Sequence, residues 1–195
     1  MSRRRPFRIG RWVLVAGLLL ALRPPGGAAA QDGAAEKPAR VEAAFLRNFA
    51  RYVNWPASAF AGERSPWQVC ILGDNHFDNA LEATFQGRTE QGRLFEVVRS
   101  SRLDQLPACQ IVFIDLPQAS ERRAALRELK KQPVLTVGRA AEFLAEGGII
   151  RLVAGERIEM SINLDQARAV ALTIPSKMLE VSREVMENGT LRRWR

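Results

Sequence analysis

The stretch Gln68-Val69-Cys70-Ile71-Leu72-Gly73-Asp74-Asn75 decides the fold class. Its apolar run is short and has no polar alternation, as in a strand buried on both faces. A Gly-Asp-Asn turn follows. Then Phe77, Ala80, Leu81 and Phe85 recur at helical spacing, with Asp74 or Asn75 placed to cap a short helix. Strand, turn and helix in that order form the repeating unit of a parallel α/β sheet.

Working outward, the same alternation continues. Upstream, Val41, Ala44, Phe45, Phe49, Tyr52 and Val53 define the inward face of a helix, with Arg40, Arg47, Arg51 and Asn54 outward. Trp55-Pro56 closes it, because a residue before proline is pushed out of the α region. Downstream, strands are expected over Leu94 to Val98, Ile111 to Ile114 and Val134 to Val137. A helix is expected from Ala119 to Lys131, with Leu126 and Leu129 inward and Arg122, Arg123, Arg127, Lys130 and Lys131 outward. A short helix is expected over Ala140 to Leu144. Gly148 to Val153 and Arg157 to Ile162 flank Ala154-Gly155-Glu156 and read as a hairpin. Asn163 opens a helix whose third residue is Gln166, a variant of the capping box. Pro175 interrupts it, and a last helix is expected from Ser176 to Glu187, stopped by Gly189. The expectation is one α/β domain with a mostly parallel sheet flanked by helices, a C-terminal β-hairpin and two C-terminal helices.

Composition agrees. The 195 residues are 47% hydrophobic and 26% charged, which excludes a disordered or collagen-like chain. The formal charge of +8 suggests nucleic acid until the charges are placed. Residues 1–30 hold Arg3, Arg4, Arg5, Arg8, Arg11 and Arg23 and no acid. The apolar run Trp12 to Leu22 is far short of the about 20 residues a membrane span needs. Pro24-Pro25-Gly26-Gly27 and Ala28-Ala29-Ala30 follow it, the pattern of a secretory signal peptide cleaved after Ala30. Without those six arginines, 23 basic residues face 21 acids. The remaining body is near neutral, and nucleic acid is not an expected partner. Residues 31–38 are small and polar, a flexible lead-in. Residues 39–188 form the domain, and residues 189–195 form a basic tail. That tail, with Arg192, Arg193, Trp194 and Arg195, reads as a solvated end with at most marginal attraction to an anionic membrane.

Few side chains suggest chemistry. Cys70 sits inside the first strand and Cys109 just before the third, and these strands are parallel neighbours in a sheet of order 2-1-3-4. A structural disulfide is favoured over two buried thiols or a redox pair, which is usually C-x-x-C. Asp115, at the end of a strand, resembles the phospho-acceptor of a receiver domain, with Thr136 as the hydroxyl and Asp74 as a metal-binding acid. Arg151 stands where that chemistry requires lysine, so Asp115 reads as the cap of a turn with Pro117. Gly73, Asp74 and Asn75 mark a strand-to-helix crevice that could contact a small ligand, although they fit no dinucleotide or Walker pattern. His76, the single histidine, has polar neighbours in sequence and reads as exposed. With no H-E-x-x-H and no G-x-S-x-G, neither a zinc site nor a hydrolase is supported, and no cofactor is expected.

Several segments, in order, resemble the YfiR/HmsC-like family. Val41-Glu42-Ala43-Ala44-Phe45-Leu46-Arg47-Asn48-Phe49-Ala50-Arg51-Tyr52-Val53-Asn54-Trp55-Pro56 resembles its opening signature, approximately V-K-A-A-F-L-Y-N-F-A-K-F-V-E-W-P. Cys70-Ile71-Leu72-Gly73 resembles its C-V-L-G. Cys109 to Ile114 resembles its C-x-I-L-F-I. Val134 to Val137 with Gly147 to Ile150 resembles its V-L-T-V and G-G-M-I. Ile162-Asn163-Leu164 and Ser176 to Leu179 resemble its I-N-L and S-S-K-L-L.

The resemblance implies a periplasmic α/β protein in which Cys70 pairs with Cys109. It also implies a regulator of a membrane-bound diguanylate cyclase, acting on the cyclase's periplasmic sensor domain, with other members serving other membrane receptors or kinases. A homodimer is left open. The chain departs from the family at Ser161, where F-E-I-N-L has its acid, at Arg47 for Tyr, and at Asn54 for Glu. Ser161, Asp165 and Arg168 are the expected partner face. If the missing acid contacts the family's usual partner, Ser161 implies a different one.

Overall fold

The computed structural model describes residues 29–155 and 157–193, with side chains from Pro38 onward. The expected leader therefore lies outside the described residues except at Ala29 and Ala30, as do Trp194 and Arg195. Among the described residues five α-helices and nine strands follow one another: α1 Ala29–Tyr52, β1 Trp67–Gly73, α2 Ala80–Phe85, β2 Thr89–Glu90, β3 Arg93–Ser100, β4 Ile111–Asp115, α3 Ala119–Leu129, β5 Leu135–Gly138, β6 Ile150–Val153, β7 Glu159–Asn163, α4 Leu164–Ala169, α5 Ser176–Glu180, β8 Glu184–Glu187 and β9 Thr190–Arg193. Among the described residues no helix is long and apolar enough to cross a membrane.

The strands form one sheet of order β2-β3-β1-β4-β5-β6-β7-β8-β9. β1 is flanked by parallel β3 and β4, and β5 and β6 extend the parallel run. The expected order of the first four long strands and the β6–β7 hairpin are both present. Side chains alternate across the central strands. Val69, Ile71, Ile111, Phe113, Leu135 and Val137 join one core with α1, α2 and α4. Cys70, Leu72, Val112 and Ile114 join a second core with Ala125, Leu126 and Leu129 of α3. With both faces covered, the central strands are apolar at consecutive positions, which accounts for the short apolar run read in the sequence.

Several expectations give way. The segment 31–38, expected as a flexible lead-in, is helical and continuous with α1. The buried face of α1 is Ala39, Glu42, Ala43, Leu46, Phe49 and Ala50, with Val53 buried just beyond its end, while Val41, Ala44 and Tyr52 are exposed. The helix is turned by about one residue from the expected face, because the small side chains of Ala39, Ala43 and Ala50 pack inward while the more apolar Val41 and Tyr52 stay outside. Arg122 faces inward, its guanidinium paired with Glu146 at 2.8 Å and its Nη1 donating to the carbonyls of Leu116 and Pro117. No helix covers residues 140–144, and residues 141–147 form turns instead. The last helix stops at Glu180, and Glu184–Glu187 and Thr190–Arg193 form a second hairpin in place of helix and tail. Asn188 and Gly189 take φ of +52° and +69° at its turn, the left-handed pair a two-residue hairpin loop requires.

Candidate functional site

The C-terminal ends of β1 and β4 meet at a crowded junction. Gly73 has φ +102°, and a Cβ there would lie 2.4 Å from the Asp115 carbonyl oxygen. The Asp74 amide donates to that carbonyl at 3.1 Å. Glycine is required because no side chain fits where the two strand ends touch. Asp74 and Asn75 are exposed, but neither caps α2, which begins at Ala80 after a turn through residues 76–79. The crevice expected at Gly73, Asp74 and Asn75 is thus partly closed by its own backbone.

That turn carries His76 inward, contrary to the exposed position expected of it. Its ring packs against Phe77 and Phe113, with centroids 4.0 Å and 5.1 Å away. Nδ1 lies 3.2 Å from Asp115 Oδ2, and Nε2 lies 2.5 Å from Oε2 of Glu42, which is 1% exposed. Asp115 also accepts from Arg139 Nη2 at 2.8 Å. Burial disfavours the imidazolium, but the hydrogen bonds to Asp115 and Glu42 outweigh it and hold the His76 pKa above 6.5. Burial likewise raises the Asp115 pKa, and the bonds from His76 and Arg139 reverse that, leaving it below 3.8. Asp115 is therefore an ion-pair partner, and the turn cap expected with Pro117 is not its main role. Thr136 Oγ1 accepts from the Ile149 amide at 3.0 Å, so the hydroxyl of the receiver-like pattern is used within the fold. The spacing of Glu42, His76 and Asp115 in the chain gives no hint of this cluster. The one usable sign was an acid at a helical position between apolar neighbours, Ala39, Ala43 and Leu46.

Cys70 and Cys109 are joined, with Cα atoms 6.1 Å apart. The bridge ties the middle of β1 to the segment entering β4, on the face covered by α3. Both cysteines are buried. Among the described residues no group of acids, histidines or cysteines is arranged to hold a metal.

Ser161, Asp165 and Arg168 each bond to the β8–β9 hairpin, Ser161 at Glu184 and the other two at residues 187–189. Ser161 is 1% exposed, with Oγ donating to Glu184 Oε2 at 3.4 Å. At that burial it cannot meet a partner directly in this conformation. Asn163 caps α4 as expected, its side chain accepting from the Gln166 amide at 2.9 Å. Asp165 accepts from the Asn188 and Gly189 amides at 2.9 Å and 2.8 Å, and these bonds hold its pKa below 3.8. Arg168 pairs with Glu187 at 2.9 Å and remains more than half exposed.

Sequence reading did not anticipate an apolar groove of about 460 Å³ between α1 and α5. Phe45, Phe49 and Tyr52 line one side and Met178 and Val181 the other, with Arg51 and Lys177 among them. Val181 is 74% exposed and Tyr52 51%, so the groove presents apolar surface to solvent. Two hollows of about 590 Å³ lie nearby and are lined in part by Arg157 and Glu159, but their walls are more charged.

Residues 39–183, most of the chain, match the sequence profile of a family described as YfiR/HmsC-like.

Proposed function

The chain belongs to the YfiR/HmsC-like family, and on that basis we infer that it is a periplasmic regulator that binds the sensor domain of an inner-membrane protein. The family is a regulatory and periplasmic one, and the Cys70–Cys109 bridge suits an oxidising compartment. The partner we propose is a diguanylate cyclase, held inactive so that cyclic di-GMP and biofilm formation stay low. Regulation here means binding without chemistry on the partner. The leader is removed after Ala30 on export.

The match across residues 39–183 is the observation that carries this reading. Exposed apolar surface in the α1–α5 groove supports it, because large exposed apolar side chains that line one depression mark docking surfaces. Asp165 and Arg168 of α4 form a second contact region, and Ser161 bonds Glu184 of the neighbouring β8. The mechanism is linkage: a regulator that prefers the inactive conformation of its receptor shifts the population by its differential affinity. A preference of about 100-fold, about 2.7 kcal/mol, silences a receptor that is near balance.

A second reading is favoured by the groove alone. Its volume is that of a small-molecule pocket, so the protein would be a ligand-binding accessory of a membrane receptor, sensor kinase or transporter. The Gly73-Asp74-Asn75 turn would be a minor contact. Removing the chain from its cell and restoring it separates the two. Cyclase inhibition predicts that cyclic di-GMP rises on removal and falls on restoration. An unchanged level overturns it and leaves the ligand-binding reading, which a saturable thermal shift with small apolar ligands would then support.

A further inference from the structure

His76 is the only histidine in the chain, and both of its ring nitrogens face carboxylates. Those carboxylates come from different layers. Glu42 belongs to α1, and Asp115 ends β4. Arg139, just after β5, supplies the remaining charge at the junction through its bond to Asp115. The ring itself is set between Phe77 and Phe113. Glu42 sits on the buried face of α1, and its Oε1 has no hydrogen-bond partner. His76 is thus the donor that a buried acid needs.

A neutral imidazole has one N–H and one lone pair, whereas an imidazolium has two N–H donors. Only the charged ring donates to Glu42 and Asp115 together. Once the proton leaves, one of the two contacts sets a lone pair against a carboxylate. The charge balance changes as well. With the proton present, His76 and Arg139 offset two carboxylates. Without it, Arg139 offsets one, and that one is Asp115. Glu42 is then an uncompensated charge inside the core, an arrangement that is strongly unfavourable.

We propose that Glu42, His76 and Asp115 form a proton-dependent latch that fastens α1 to the C-terminal end of the sheet. It is closed while the imidazole carries its proton and loosened when the proton is lost. The consequence extends along α1, because the same helix supplies Phe45, Phe49 and Tyr52 to the groove against α5. Proton concentration would therefore control how firmly one wall of that groove is held, whatever the groove binds. The sign follows from the raised His76 pKa. The latch contributes its full stability below the unfolded-state value of about 6.5 and loses it as pH rises through the folded-state value.

Because there is one histidine, its ring resonances in the NMR spectrum of the full chain are unambiguous. The experiment titrates them and follows hydrogen exchange of amides 39–52 from pH 6 to pH 8.5, corrected for intrinsic exchange. The latch predicts a midpoint above 6.5. Between about 6.5 and that midpoint, local opening of residues 39–52 rises with pH, by at most about tenfold per pH unit, and it levels off above the midpoint. His76→Gln makes the opening independent of pH over the same range. Asp115→Asn lowers the imidazole midpoint and serves as the deciding variant if His76→Gln fails to fold. A midpoint below 6.5 overturns the proposal. So does pH-independent opening in the unaltered chain, a retained slope in His76→Gln, or an unchanged midpoint in Asp115→Asn.

Discussion

Two residues, Gly73 at the end of β1 and Asp115 at the end of β4, have no substitute of similar chemistry. Gly73 has a left-handed φ with the Asp115 carbonyl where a side chain would begin. Gly73→Ala is therefore expected to lower stability by about 3 kcal/mol, from backbone strain and steric overlap combined. Urea denaturation reads this directly, and an unchanged midpoint would mean that the strand ends separate easily. Asp115 makes the opposite kind of demand, for charge rather than space. Its lowered pKa means that it contributes stability above its unfolded value of about 3.8 and loses it as pH falls through the folded value. Asp115→Asn should flatten the acid limb of the stability profile below pH 4. A limb as steep as the original would place the acid sensitivity in other carboxylates.

At the scale of elements, the β8–β9 hairpin joins the sheet through β8 alone, and its turn is tied to α4. Asp165 accepts from both turn amides, and Arg168 pairs with Glu187. All four residues of β9 are exposed. Asp165→Ala should cost about 1–2 kcal/mol, and the loss should appear first as faster amide exchange in residues 184–193. Equal loss of protection across the central strands would contradict this local picture. The hairpin was legible in the sequence and was misread. Asn188-Gly189 is a strong two-residue turn signal, but Val181, Ser182 and Val185 fit a helical spacing, and glycine also stops helices. The central strands were read correctly because burial on both faces leaves a run of apolar residues that no surface element shows. The face of α1 was not, since alanines and a buried acid carry the contacts while Val41 and Tyr52 face solvent. The Glu42–His76–Asp115 cluster joins three separated segments, and local pattern carries no record of such a meeting.

Across the whole molecule, the disulfide and the family's function are linked by compartment. Cys70 and Cys109 close a loop of sequence separation 39 between two central strands. Chain-entropy reasoning gives the bridge at most about 4 kcal/mol. The double substitution Cys70→Ser with Cys109→Ser should lower the denaturation free energy by about that amount, and reductant should change the unsubstituted protein but not the double variant. A double variant as stable as the original would mean that packing around the bridge carries the junction. The ordered segments behind the family resemblance map onto α1, β1, β4, β5, the β6–β7 hairpin and α4–α5, so the resemblance follows the core rather than any one site. That is why family and fold were readable together, while the groove, which depends on how α1 and α5 meet, was not.

The most direct test of the account is cellular cyclic di-GMP in three strains: one lacking the protein, one producing the full chain, and one producing a form without residues 1–30. Regulation from the periplasm predicts that only the full chain lowers the nucleotide relative to the strain lacking it. Equal levels in all three strains, or equal lowering by the form without residues 1–30, would contradict it.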